Sequence, residues 1–170
     1  MKNLESLIKT YYDFPKKGIA FKDILGIIQD PEVFRELILK MSSNNVIKNS
    51  EAIISIEARG FIFGSAISLQ ASKPMLVARK PGKLPGELIN EKYSLEYGQS
   101  TISIQKESLN RFKSYAIVDD LLATGGTVEC VANLIRKEGK SVCGLVTVVE
   151  LLELEGRSRF DFPVESIICL

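Results

Sequence analysis

The stretch AIVDDLLATGGTV, residues 116–128, decides how this chain is read. A short apolar run ends in two adjacent carboxylates, Asp119 and Asp120. The small-residue turn Ala123-Thr124-Gly125-Gly126-Thr127 follows, and a helical pattern then begins. A strand that passes through such a turn into a helix presents free backbone N–H groups and two hydroxyls at the positive end of the helix dipole, a ready place for a phosphate. The carboxylates just before it can hold the hydroxyls of a sugar, or waters on a Mg²⁺ ion. Together a phosphate cradle and a diol clamp point to a phosphorylated ribose. The segment is neither G-x-x-x-x-G-K-[ST] nor G-x-G-x-x-G. A tight turn would use Gly125 and Gly126 for backbone freedom but has no need of two acids in front and two threonines inside.

Working outward, Tyr115–Val118 reads as a core strand, and Val128, Val131, Leu134 and Ile135 form the inner stripe of the next helix, closed by Gly139. Ala52–Ile56, Met75–Ala78, Val142–Val149 and Ser166–Leu170 are further short apolar strands, and Thr101–Gln105 alternates as a strand does. Asp30-Pro31 is an N-cap with proline at the first helical position, followed by a stripe of Phe34, Leu37, Ile38 and Met41. Phe61–Gln70 is helical, a helical turn is expected at Glu153–Arg159, and the spacing of Leu4, Leu7, Ile8 and Tyr11 predicts a short amphipathic helix at the start. Strands alternating with helices predict an α/β fold, a mostly parallel twisted sheet with helices on both faces. Ligands of such sheets bind beyond the carboxyl ends of the strands. Glu57-Ala58-Arg59-Gly60, Arg79-Lys80 and Asp119–Thr127 each follow a predicted strand. Residues 80–100 carry Pro81, Gly82, Pro85, Gly86 and Gly98 in a polar stretch too long for a simple connection, so they form a lid or an irregular hairpin.

Composition narrows the chemistry. The 170 residues suffice for one domain with a proper core. With 22 basic and 21 acidic residues the formal charge is +1, which suggests neither a nucleic-acid nor a membrane surface. No apolar run approaches the roughly 18 residues that span a bilayer, and the N-terminus lacks a signal-peptide core. Cys130, Cys143 and Cys169 are odd in number and lie in apolar segments, reading as buried reduced thiols and, with them, a cytoplasmic address. The chain has no histidine, so acid–base work falls to a carboxylate, lysine, tyrosine or the substrate.

Three further segments accompany the first: DFPKKGIAFKDI at 13–24, EARGFIFG at 57–64, and RKPGKLPGE with KYSLEYG within 79–98. In this order, over most of the chain, they resemble the type I phosphoribosyltransferase family, and within it the members that use adenine. The resemblance implies a small N-terminal hood over the base in residues 1–28, a flexible lid at 80–100, and a homodimer. It also implies the reaction of adenine with 5-phosphoribosyl 1-diphosphate, in the presence of Mg²⁺, to give AMP and diphosphate. Asp119 and Asp120 would bind the ribose hydroxyls directly or through magnesium-bound water, with no direct protein ligation of the metal. Ala123, Thr124, Gly125, Gly126 and Thr127 would grip the 5′-phosphate. Glu57, Ala58 and Arg59 would approach the diphosphate, with a cis peptide bond between Glu57 and Ala58, and Arg79 and Lys83 would contact it when the lid closes. Glu96 would manage the proton at the purine, and Tyr97 would pack over the site or hold the lid. Phe21 and Leu121 would sandwich the base, which is read through backbone groups next to Phe21, at Ala20, with Lys22 also at the adenine site. Two departures stand out: Ala20 replaces a larger aliphatic residue, and Lys22 stands where arginine is common.

Two other readings share these features. One is a phosphoribosyltransferase for hypoxanthine, guanine or xanthine, for which Lys22 is a candidate donor to a 6-oxo group. The other is a non-catalytic sensor of phosphoribosyl diphosphate. The chain leaves no room for a separate DNA-binding domain, and it keeps the Glu96 segment that a sensor would not need.

Overall fold

The computed structural model describes residues 4–95 and 98–170. Its centre is a five-stranded sheet in the order β4-β3-β7-β8-β9, all neighbours parallel. These strands are β3 (Ala52–Ile56), β4 (Met75–Ala78), β7 (Ser114–Leu122), β8 (Ser141–Glu150) and β9 (Val164–Cys169). Two two-stranded ribbons stand beside it: β1 (Lys9–Tyr12) with β2 (Ala20–Asp23), and β5 (Leu88–Leu95) with β6 (Gly98–Gln105).

Both faces of the sheet are covered, as its continuous apolar strands require. On one side Ile53, Ala116, Val118, Val146 and Val148 pack against α1 (Leu25–Ile28), α2 (Pro31–Ser42), α3 (Asn45–Asn49) and α4 (Gly60–Ala71), with Phe63, Leu37 and Met41 at the centre. On the other, Ile54, Tyr115, Ile117 and Leu145 meet α5 (Lys106–Asn110), α6 (Gly126–Lys137) and Ile102 and Ile104 of the β5–β6 ribbon. Asp30 caps α2 by accepting from the amides of Glu32 and Val33, with Pro31 next, as the sequence predicts.

The chain runs from β3 outward to β4, then returns to place β7 on the other side of β3 and continues to β8 and β9. The direction of winding therefore reverses between β3 and β7. At such a switch point the loops leaving two adjacent strands diverge to opposite faces and open a crevice at the carboxyl edge. Glu57–Gly60 lies on one side of it and Asp119–Thr127 on the other.

Three expectations are corrected. The N-terminal segment is not a helix but one 3₁₀ turn, Leu4–Leu7, followed by β1, whose Thr10, Tyr11 and Tyr12 pair with Lys22, Phe21 and Ala20. β-branched and aromatic residues with a strand available prefer the ribbon. β7 also runs further than expected, so that Asp119 and Asp120 lie within it. Pairing with β8 continues through Asp119↔Thr147 to Leu122↔Glu150, while pairing with β3 stops at Val118. Of the cysteines, only Cys130 is buried; Cys143 is half-buried and Cys169 exposed. The 80–100 segment contributes a regular antiparallel ladder, Leu88↔Gln105 to Leu95↔Gly98, and an ion pair from Lys137 of α6 to Glu91 holds it down. Glu96 and Tyr97 lie outside the described residues. No helix among the described residues is long and apolar enough to cross a membrane.

Candidate active site

At the end of β7 both carboxylates are nearly buried, Asp119 at 9% and Asp120 at 7% exposure. Asp119 accepts the amide of Asp120 at 2.9 Å. Burial first, and the Asp120 charge second, raise the Asp119 carboxyl well above the ordinary range. Asp120 Oδ2 lies 2.7 Å from Nε of Arg59, an ion pair without hydrogen-bond alignment, so the oxygen has no hydrogen-bond partner among the described residues. Two acids so placed can receive hydroxyl donors or a hydrated cation once Arg59 yields.

Arg59 reaches across the crevice from the start of α4. Its guanidinium sits 5.0 Å from the centroid of the Phe21 ring and lies 3.5 Å from the carbonyl of Lys22. One side chain thus joins the acid pair to the β1–β2 ribbon. Phe21 also meets Phe14 edge-on at 5.2 Å. The Lys22 ammonium donates to Thr10 Oγ1 at 3.1 Å, so it is engaged across the ribbon and only its backbone faces Arg59. Ala20 is exposed, and Leu121 is half-buried against the α1–α4 core.

The other basic residues form a separate group. Glu57 accepts from Arg79 Nε at 2.9 Å and from the Lys80 amide at 2.7 Å, while Arg79 donates to the Lys83 carbonyl at 3.3 Å. Burial raises the Glu57 carboxyl, but these bonds and charges outweigh it and the group is held below its ordinary range. The Glu57–Ala58 bond is cis. Of the residues expected at the diphosphate, the structure brings Glu57, Arg79 and Lys83 together. Arg59 is turned toward Asp120 and Phe21 instead, because the buried acid pair is the stronger nearby demand for a cation.

Gly125 opens α6 with φ +81 in the left-handed region, where glycine carries no steric cost, and no side chain caps the first turn. Gly125 is buried and Thr124 exposed. The helix therefore offers its leading amides outward, beside the two threonine hydroxyls. A cleft of about 430 Å³ borders this loop, lined by Thr124, Gly126, Glu129, Cys130 and Arg159, with Lys92 of β5 across it.

Sequence reasoning missed two supports. A Cβ at Gly60 would lie 2.8 Å from Asp119 Oδ1, so only glycine lets α4 approach the acid pair this closely. A Cβ at Gly156 would lie 2.1 Å from the Ala123 carbonyl, so the 3₁₀ turn Gly156–Arg159 is the direct backing of the Ala123–Thr127 loop. A glycine in the first turn of a helix was a readable signal for the first; no local signal existed for the second.

The switch-point crevice thus brings together a buried acid pair, a bare helix N-terminus and a basic cluster, and comparison with known proteins assigns the fold that carries them to a class of transferases. Residues 28–168 match the family described as the phosphoribosyl transferase domain. An adenine phosphoribosyltransferase from Prochlorococcus marinus subsp. pastoris is 68% identical over 166 residues, 98% of this chain and 97% of that protein. Among solved structures, the adenine phosphoribosyltransferase of Thermoanaerobacter pseudethanolicus superposes with a TM-score of 0.90 at 35% identity, covering 98% of each chain. That of Saccharomyces cerevisiae, described in complex with adenine and an imino-altritol bisphosphate, superposes at 0.87 with 33% identity and 96% coverage of each chain. The chain belongs to the adenine phosphoribosyltransferase family.

Proposed function

We propose that this chain transfers the 5-phosphoribosyl group from 5-phosphoribosyl 1-diphosphate to adenine, forming AMP and releasing diphosphate, a step of purine salvage. The observation that carries the reading is the buried Asp119–Asp120 pair at the mouth of the switch-point crevice, with the uncapped start of α6 beyond it. The acids take the ribose hydroxyls and Ala123–Thr127 takes the 5′-phosphate on its amides and hydroxyls. Arg79 and Lys83 then lie on the side from which diphosphate departs, and arginine's planar fork suits a pair of phosphate oxygens.

A purine nitrogen attacks the anomeric carbon as the bond to the diphosphate oxygen breaks, with inversion. The bonding pair leaves with diphosphate, and the purine proton goes to a base, the role proposed for Glu96. Positive charge that builds on the ribose is stabilised by the fixed carboxylates, and much of the rate comes from positioning. Phe21 and Leu121 enclose the base, which is recognised at the backbone of Ala20 and Lys22, and Tyr97 belongs to the lid. The Lys22 ammonium donates to Thr10 Oγ1 across the ribbon, and the relatives named for adenine support adenine over a 6-oxopurine.

Mg²⁺ fits this site as a guest of the substrate. Among the described residues no cluster of three or more metal-ligating side chains exists, but the acid pair offers a buried carboxylate edge for magnesium-bound water. When bound, the ion would neutralise charge on the diphosphate leaving group. We also propose a single domain with residues 1–28 as the hood, a cytoplasmic setting and a homodimer, as the resemblance implies.

The test is nucleotide formation from adenine, hypoxanthine, guanine and xanthine in parallel, each with phosphoribosyl diphosphate and Mg²⁺. AMP from adenine, with little product from the 6-oxopurines, is expected. Nucleotide from a 6-oxopurine alone would overturn the base assignment, and no turnover with any base would leave the sensor reading.

A further inference from the structure

We infer that Glu150 and Arg157 are positioning residues for the 5′-phosphate: an ion-pair clamp, buried on its Glu150 side and outside the site, that sets the height of the phosphate loop through Gly156. The inference rests on the proposed role of Ala123–Thr127.

The phosphate loop does not stand on its own helix alone. Its floor is the turn Gly156–Arg159, in backbone contact at two points. A Cβ at Gly156 would fall 2.1 Å from the Ala123 carbonyl, and one at Gly125 would fall 2.8 Å from the Gly156 carbonyl and 2.9 Å from Cζ of Phe160. Any shift of this turn is therefore passed to Ala123 and Gly125 without a side chain between to absorb it.

What holds the turn is electrostatic. Glu150, at the carboxyl end of β8, is 1% exposed. Its carboxylate takes both arms of the Arg157 guanidinium, Nε at 2.6 Å on Oε1 and Nη2 on Oε2, while Ser166 Oγ of β9 donates to Oε2 at 2.7 Å. A bidentate pair fixes orientation as well as distance. Glu150 is itself the register partner of Leu122, the residue before Ala123, and the Leu151 amide donates to the Leu122 carbonyl at 2.9 Å. The clamp thus ties the turn beneath the loop to the strand end from which the loop departs. On the far side Arg159 pairs with Glu129 of α6 at 3.2 Å, and Phe160 stacks on Phe162 at 4.9 Å. Arg157 is about half exposed and its neighbour Gly156 is the residue that abuts the loop, so its effect should be confined to ligands that carry the phosphate.

The experiment compares AMP with adenosine, which differ only by that phosphate, in calorimetric binding to the whole chain. Arg157→Met is expected to lower the AMP-to-adenosine affinity ratio about tenfold and to raise KM for phosphoribosyl diphosphate similarly, with KM for adenine unchanged. Arg157→Lys, which keeps charge but not the fork, should recover only part of the loss. If Arg157→Met folds poorly because Glu150 is left charged and alone, Glu150→Gln with Arg157→Met removes that charge and should still show the lowered ratio. An unchanged ratio in a folded variant, or an adenine KM that moves as much as that of phosphoribosyl diphosphate, would overturn the clamp. A wild-type chain binding AMP no better than adenosine would instead overturn the phosphate-loop reading, and the clamp with it.

Discussion

Replacing Gly60 by alanine sets two effects against each other. Gly60 is the first residue of α4, and alanine in a helix interior is favoured over glycine by about 1 kcal/mol, an upper bound for an end position. On propensity alone the variant would gain stability. The structure predicts otherwise: the added Cβ would lie 2.8 Å from Asp119 Oδ1, 3.3 Å from Asp119 Cα and 3.4 Å from the Val118 carbonyl. Close carbon–oxygen contacts settle near ~3.3–3.6 Å, so the carboxylate or the helix must move by roughly half an ångström. Asp119 is buried and held by the Asp120 amide, and cannot swing away freely. Overpacking of this kind costs about 1–3 kcal/mol, which cancels or exceeds the propensity gain. The net loss, roughly 0–2 kcal/mol, lowers Tm by up to about 8 °C for a chain of this length. Activity should fall much further, since an ångström of misplacement at a reacting centre costs on the order of a hundredfold. Thermal melts and the rate of AMP formation, followed together, give the answer. A Tm raised by ~2–4 °C with kcat/KM unchanged would show that α4 does not press on the acid pair, and the site would have to be redrawn.

Asp119→Asn should separate folding from function. A carboxyl whose pKa is raised in the folded state, here by burial and then by Asp120, contributes stability below its unfolded pKa and loses it as pH rises through the folded value. The variant should therefore melt above wild type near about pH 8, with the gap closing toward about pH 4, while AMP formation falls; a folded variant that melts lower near pH 8 would refute the buried-charge account. Phe21→Ala removes the aromatic face from the base ribbon. Base stacking is worth roughly 1–3 kcal/mol, so KM for adenine should rise between about fivefold and 150-fold while KM for phosphoribosyl diphosphate changes little; an unmoved adenine KM would take Phe21 out of the site.

The strand core at 115–118 and the turn and helix after it were legible because what they need is local: apolar β-branched residues, small residues at the turn, then a 3.6-residue stripe; the extension through Leu122 was not, because pairing with β8 sets it. The Asp30–Pro31 cap was legible because it too is local. The start of the chain was not. Leu4, Leu7, Ile8 and Tyr11 fit a helix stripe, but Tyr11 pairs with Phe21 across a turn whose geometry, cis Pro15 and positive φ at Asp13, has no periodic signature. The candidate site divides similarly. Residues that touch substrate in the proposed reaction lie on β2, at the end of β7 and on the loops that follow β3, β4 and β7, and they announce themselves by type. The backing at Gly156 and Glu150, which pairs with Arg157 beside it, are brought to the Ala123–Thr127 loop by the pairing of β7 with β8 and β8 with β9, which no local pattern encodes.

Arg59 shows why position along the chain and position in the site can disagree. The resemblance places it with Glu57 and Ala58 toward the diphosphate; in the structure it reaches Asp120. Two carboxylates drawn out of water at a strand end repel and are poorly solvated, and the guanidinium from across the crevice is the cation that reaches them. The Arg59 side chain is 30% exposed, so its pair with Asp120 is screened and contributes on the order of 1 kcal/mol at most, little enough for a ligand to break. The proposed substrate supplies what both partners would lose. Its hydroxyls donate to the acids, its ribose grows positive as the reaction proceeds, and its diphosphate is an anion for the released arginine. In the proposed reaction the Arg59–Asp120 pair would therefore give way to a ligand that carries an anion at one end and a developing cation in the middle.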